Sequence, residues 1–198
     1  SHHQVSRMDI STLYKVDRTI TKNDVRIIKT VAGNGTSSYN GDGLPATDTS
    51  IYPLRIVMDV YRNIYIDDGW NRRIRKMDTN GIITTVAGGG NPPDGLGDGG
   101  PATDASLNSP NGVAVDSDGN IYIADGWNHR IRKVDTTGII TTVAGGGNPP
   151  DGLGDGGPAT DAGLNYPKGV AVDSSGNIYI ADAVNYRIRK IDTNGIIT

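Results

Sequence analysis

Apolar and polar residues alternate along most of this chain in short runs, each closed by a Gly, Asn or Asp turn. In the middle of the sequence, Gly112-Val-Ala-Val-Asp116 alternates and stops at Ser117-Asp118-Gly119. Asn120-Ile-Tyr-Ile-Ala-Asp125 follows, rich in β-branched and aromatic residues, and turns at Gly126-Trp127-Asn128. Arg130–Asp135 and Ile139–Ala144 complete a set of four short runs. Period-two alternation between turn residues predicts strands, and tight turns between them predict antiparallel hairpins. The same reading predicts strands over 53–60, 63–68, 72–78 and 82–88, and over 169–173, 177–182 and 187–192. A last run, Gly195–Thr198, begins a further strand.

The four-run unit repeats. Ile74-Arg75-Lys76 returns as Ile131-Arg132-Lys133 and as Ile188-Arg189-Lys190, a period of 57 residues. Residues 74–130 and 131–187 match at 48 positions and differ at nine. A more divergent earlier copy shows in Val31-Ala32-Gly33, Gly41-Asp42-Gly43 and Pro45-Ala46-Thr47-Asp48. Four antiparallel strands per unit, linked by long Gly/Pro/Asp loops, describe blades that must stack to bury their faces. In each long loop, Pro101–Leu107 and Pro158–Leu164 place Pro, Ala and Leu at the spacing of one helical turn.

Pro-x-Gly-Val-Ala-Val-Asp (110–116, 167–173), Gly-Asn-Ile-Tyr-Ile-Ala-Asp and Asn-x-Arg-Ile-Arg-Lys resemble the NHL-repeat β-propellers. The Gly-Asp-Gly-Gly-Pro-Ala-Thr loops (97–103, 154–160) are similar to the long-loop variants of teneurin-like and bacterial NHL-repeat proteins. The resemblance implies an all-β propeller of four-stranded blades, ordinarily six to a ring. By analogy alone it favours a secreted or cell-surface location. The expected organisation is a tag remnant and extension over 1–24, then propeller over 25–198. Blades fall at about 53–88, 110–145 and 167–198, with an orphan fourth strand over 25–33. Three blades cannot close a ring, so we expect a homodimer in which each orphan strand completes the other chain's last blade; the alternative is a fragment cut from a larger propeller.

Composition narrows the function. Nineteen Lys and Arg against 22 Asp and Glu give a net charge of −3, the wrong sign for a general nucleic-acid or anionic-membrane binder. No apolar run approaches the ~18 residues of a membrane span. There is no Cys, so no thiolate chemistry or disulfide. Twenty-eight Gly and ten Pro fall between the apolar runs, as turn punctuation rather than low complexity.

Following the strands round a blade places the long loops and the turns after the second strands on one face. Six of the nine differences between the near-identical copies fall there, including Ser109/Tyr166, Asn111/Lys168, Trp127/Val184 and His129/Tyr186. Exposed loops drift, but Trp on such a face suits recognition. The candidate partner-binding residues are therefore Trp70, Asn71, Trp127, Asn128, His129, Tyr166, Lys168 and Tyr186, for a protein or carbohydrate ligand. Asp68, Asp125 and Asp182 recur once per unit and are expected to pair with Arg75, Arg132 and Arg189 across blade junctions. Asp116-Ser-Asp118-Gly-Asn120 imitates a calcium loop without its closing Glu and reads better as an Asx turn. Asp98 and Asp155, set among glycines, are weak calcium candidates.

No cofactor is expected. The one histidine outside the tag, His129, cannot build the three-ligand zinc site that the resemblance associates with an amidating lyase. The leading expectation is a non-catalytic binding or assembly scaffold. The competing one is a lyase or hydrolase of related six-bladed families with a central metal. A recently amplified or engineered array without an evolved ligand also fits the near-identity of the copies.

Overall fold

A computed structural model describes residues 28–198. From Val31 onward they form one unit of three antiparallel sheets. The short strand β1 (Leu44–Pro45) precedes the first blade: β2 (Pro53–Met58), β3 (Ile64–Asp68), β4 (Arg73–Met77) and β5 (Ile82–Gly88). Blade 2 is β6 (Pro110–Val115), β7 (Ile121–Asp125), β8 (Arg130–Val134) and β9 (Ile140–Gly145). Blade 3 holds β10 (Pro167–Val172), β11 (Ile178–Asp182) and β12 (Arg187–Ile191). Its fourth strand has begun, with backbone hydrogen bonds in both directions between Lys190 and Thr198.

Register explains which side chains meet. Ile123 lies opposite Arg132 and Ala124 opposite Ile131, so alternation gives each sheet two faces. The front face of blade 2 carries Ala114, Tyr122, Ala124, Ile131 and Ala144, and packs on Ile178, Ile180, Ile191 and Ile197 at the rear of blade 3. Tyr65, Ile74 and Ala87 of blade 1 pack in the same way on Ile121, Ile123, Val134 and Ile140. The core is thus a series of inter-blade layers rather than one centre. The innermost strands of all three blades line a common cavity of about 280 Å³ containing Arg55, Gly112 and Gly169.

Two details refine the sequence reading, and a third is described only in part. The loop motif does not merely connect blades: Leu44–Pro45 pairs with β5, and Pro101 and Pro158 bridge to Ile139 and Ile196. Each loop thereby covers the outer edge of the blade it enters, which shields unpaired backbone groups from other chains. The expected helical turn is a 3₁₀ turn, Ala102–Asp104, with Pro101 just ahead of it at ψ 132°. Leu107 and Leu164 behind these turns are buried in the inter-blade layers. The fourth strand expected over 25–33 is described only in part. Residues 28–33 carry no strand, and 25–27 lie outside the described residues.

Candidate functional site

The long loops and the turns after the second strands do share a face. Pro110 lies opposite Asp125, and the Gly126 and Trp127 amides donate to the Ser109 and Asn108 carbonyls. Each such turn is one 3₁₀ turn closed by a left-handed residue: Arg72, His129 and Tyr186, at φ 54°, 54° and 57°. Ser109 and Tyr166 are also left-handed, at φ 51° and 52°. Non-glycine residues adopt this conformation only where the surroundings over-determine it.

Those surroundings are a hydrogen-bonded frame beneath the face. Asp125 Oδ1 accepts the Asn108 amide at 2.8 Å, and Oδ2 accepts the Asn128 side-chain amide at 2.8 Å. Arg132 Nη1 donates to Asp125 at 3.3 Å, and its Nη2 donates to Asp98 at 2.7 Å. Arg189 repeats this with Asp182 at 3.4 Å and Asp155 at 2.5 Å. Blade 1 is looser: Arg75 reaches Asp42 at 2.8 Å and Asp68 only at 3.7 Å. Burial pushes the Asp125 carboxyl above the usual range, against the opposing pull of Asn108, Asn128 and Arg132.

The pairs correct one expectation. Arg75, Arg132 and Arg189 are buried, but Asp68, Asp125 and Asp182 reach them from the same sheet. Asp125 sits diagonally from Arg132 on the adjoining strand, where a two-residue offset keeps both on one face. The loop carboxylates Asp98 and Asp155 tie each long loop to the blade it enters, through Arg132 and Arg189. Both weak calcium candidates are therefore held by guanidinium groups, and Asp98 Oδ2 also accepts the Thr142 hydroxyl at 2.6 Å. The Asp116 turn is internally satisfied: Oδ1 accepts the Asp118 and Asn120 amides, and Oδ2 accepts the Asn120 side chain and the Tyr122 hydroxyl. Burial, with that contact adding to it, pushes the Tyr122 phenol up to about 12. Among the described residues no three His, Cys, Asp or Glu side chains gather as a metal site.

Above the frame, the candidate residues divide. Asn71 and Asn128 turn inward, Asn71 donating to the Ser37 carbonyl and to Asp68. His129 Nδ1 accepts the Tyr166 amide at 3.0 Å, so it positions a loop and presents no free base. Trp70 and Trp127 project outward, 76 % and 59 % exposed. Trp127 meets Tyr166 edge-on at 5.0 Å, and Lys168 lies 5.4 Å over the Tyr166 ring. Tyr186 is almost fully exposed and stands apart from this cluster.

Between the two indoles runs a groove of about 450 Å³, floored by Leu54, Asn108, Ser109 and Asn111 and edged by Arg72 and Tyr166. Tyr52 tilts against Trp70 at 5.7 Å. Sequence reasoning missed Tyr52, Leu54 and Arg72. They occupy the repeat columns of Ser109/Tyr166, Asn111/Lys168 and His129/Tyr186, so extending the copy comparison to the divergent first blade would have found them.

Comparison with known proteins agrees with this architecture. The Teneurin NHL domain matches residues 90–149 and 147–198, together more than half of the chain. Human Teneurin-1 is 34% identical over 164 residues, 72% of this chain but 6% of that protein. The Arabidopsis thaliana protein SUPPRESSOR OF QUENCHING 1, chloroplastic, is 32% identical over 181 residues, 85% of this chain and 16% of its own length. The chain thus spans less than a fifth of these relatives. A solved structure of a Bacteroides thetaiotaomicron protein of unknown function aligns with TM-score 0.56 at 31% identity, over 68% of this chain and 34% of that one. A putative phosphatase from the same organism aligns with TM-score 0.60 over 93% of this chain and 42% of its own; at 20% identity it speaks for the fold alone. Repeat period, loop motif, blade topology and these matches converge: the chain belongs to the teneurin-type NHL-repeat β-propellers.

Proposed function

We propose that this chain is a non-catalytic binding module that takes an uncharged protein segment or carbohydrate in the groove between Trp70 and Trp127. The observation that carries this reading is the exposure of two indoles around a preformed groove. Such surface is costly to leave in water and is enriched where proteins meet partners. The groove's polar groups are mainly neutral amides and hydroxyls, Asn108, Ser109 and Asn111, with Arg72 its one cation. That combination offers flat apolar stacking surfaces beside hydrogen-bonding groups, and it suits sugar rings or a polar loop better than a charged ligand.

The chain contains two Trp, and both edge this groove, so intrinsic fluorescence reports on it alone. Titration with neutral oligosaccharides in one arm and uncharged peptides in the other is expected to shift or quench the emission in one of them. W127A is expected to weaken that response at least tenfold while leaving the circular dichroism unchanged. A ligand that binds by calorimetry without moving the indole emission would overturn the placement.

A further inference from the structure

Beyond the indole groove, the loop face holds a second cavity, of about 500 Å³, between the turn of blade 2 and the loop that enters blade 3. Asn128, His129 and Arg130 line it from the turn, and Gly146, Asn148 and Asn165 line it from the loop. No Asp or Glu lines it, and Leu164 is its one apolar side chain. His129 lines this cavity while Tyr166 edges the groove, and the hydrogen bond between them divides the two.

Arg130 sets the chemistry of this cavity. Arg132, two residues on, is committed to Asp98 and Asp125. Arg130 forms no ion pair among the described residues. Its Nη1 donates to the Asn128 carbonyl at 2.7 Å. The guanidinium also lies so close on Gly146 that a Cβ there would stand 2.6 Å from Nη2. A turn carbonyl and a bare backbone thus hold the fork in one pose, with its charge unspent. In blade 1 the equivalent Arg73 is held by the Asn71 carbonyl, but the Tyr39 ring covers it at 3.8 Å. Counting from the shared Gly-Asp-Gly, the place of Tyr39 is taken by Gly95 in the loop entering blade 2. No ring covers Arg130 among the described residues. His129 adds a donor. Because its Nδ1 accepts the Tyr166 amide, the neutral ring carries its proton on Nε2.

A planar guanidinium matches a carboxylate through two parallel hydrogen bonds. One cation in an otherwise neutral wall suits a single negative charge better than a phosphate dianion. The side-chain amides of Asn148 and Asn165 supply both donors and acceptors, which hydroxyl groups require. With Leu164 its one apolar side chain, the cavity gives the alkyl side chains of a peptide little to pack on. We propose that this cavity binds a uronic-acid sugar, its carboxylate on Arg130 and its hydroxyls on Asn148, Asn165 and the Nε2–H of His129. The volume is that of a small-ligand site, and one or two sugar rings fill it.

Calorimetric titration of the full chain with methyl glucuronide tests this, with methyl glucoside, acetate and inorganic phosphate as the other arms. Glucuronide is expected to bind at least tenfold tighter than glucoside, which lacks the carboxylate, and than acetate, which lacks the ring. Equal affinity for glucoside, tighter binding of phosphate, or no binding of glucuronide at millimolar concentration would each overturn the proposal. R130Q is expected to lose the preference for glucuronide over glucoside, and R130K, which keeps the charge without the fork, to retain part of it. Should R130Q disturb the turn whose carbonyl it binds, N148D gives an independent reading. Asn148 is exposed, so a carboxylate there leaves the fold intact, and it is expected to weaken glucuronide at least tenfold but not glucoside. Unchanged glucuronide binding in N148D would sink the site. W127A, in the groove, is expected to bind glucuronide as the wild type does, so failure of the groove and failure of this cavity are read separately. A loss in W127A would move the ligand to the groove and overturn this placement.

Discussion

Asp67 is the residue least at ease in its surroundings. It points from the front face of blade 1 toward blade 2, where the sibling blades carry Ala124 and Ala181. It is buried, and neither carboxylate oxygen has a hydrogen-bond partner among the described residues. Burial drives its carboxyl up to about 8, with Asp68 adding to the rise and Arg55 opposing it. The unfolded chain would release that proton near pH 4. The native state then holds more protons than the unfolded one between about pH 4 and 8, so stability falls as pH rises through that window. Thermal melts are expected to show a declining Tm from pH 5 to 8.5, flattened in D67A. At pH 8, D67A is expected to gain about 1–3 kcal/mol, since an unpaired buried carboxylate is replaced by the side chain its siblings use. An unchanged pH profile in D67A would show that another group governs it.

At the scale of elements, the long loop rather than the strand carries the specificity of blade packing. Asp98 grips Arg132, Thr142 binds Asp98, and Leu107 lies buried in the layer between blades. L107A is expected to cost about 2–5 kcal/mol in denaturant melts, as truncation of a buried Leu does where neighbours cannot collapse. D98A, which leaves a buried guanidinium with one fewer carboxylate, is expected to cost about 1.5–3 kcal/mol. With its oxygens already engaged, chelator is expected to shift the wild-type Tm by no more than a degree or two, and a larger drop would restore the calcium reading. Strands, turns and period were legible because alternation and Asp-Gly turns are local signals. Asp98 as the partner of Arg132 was not, because 34 residues separate them and only the folded loop brings them together. The inward turn of Asn71 and Asn128 was hidden for a related reason. An amide in a turn reads alike in sequence whether it faces solvent or a buried Asp.

For the whole molecule, the homodimer expected from the sequence has a thermodynamic signature. If two copies associate, unfolding and dissociation are linked, and each tenfold dilution shifts the balance by about 1.4 kcal/mol. Scanning melts over a hundredfold range of concentration are then expected to show Tm falling by a few degrees per decade. A concentration-independent Tm would mean that the chain is stable without a second copy. The groove between Trp70 and Trp127 lies on the loop face rather than at either end, so binding there and closure are expected to be independent.

The near-identity of residues 74–130 and 131–187 reaches beyond any single contact. Excising one such unit would join Arg73 to Ile131 in the same local sequence that now joins Arg130 to Ile131, or Arg73 to Ile74. Inserting one would do the same, so the array can be shortened or extended in whole blades without inventing a new interface. Its length is a count of interchangeable parts, and what resists editing is the total curvature. Adding a fourth blade would preserve every internal junction and change only how far the array bends round its axis.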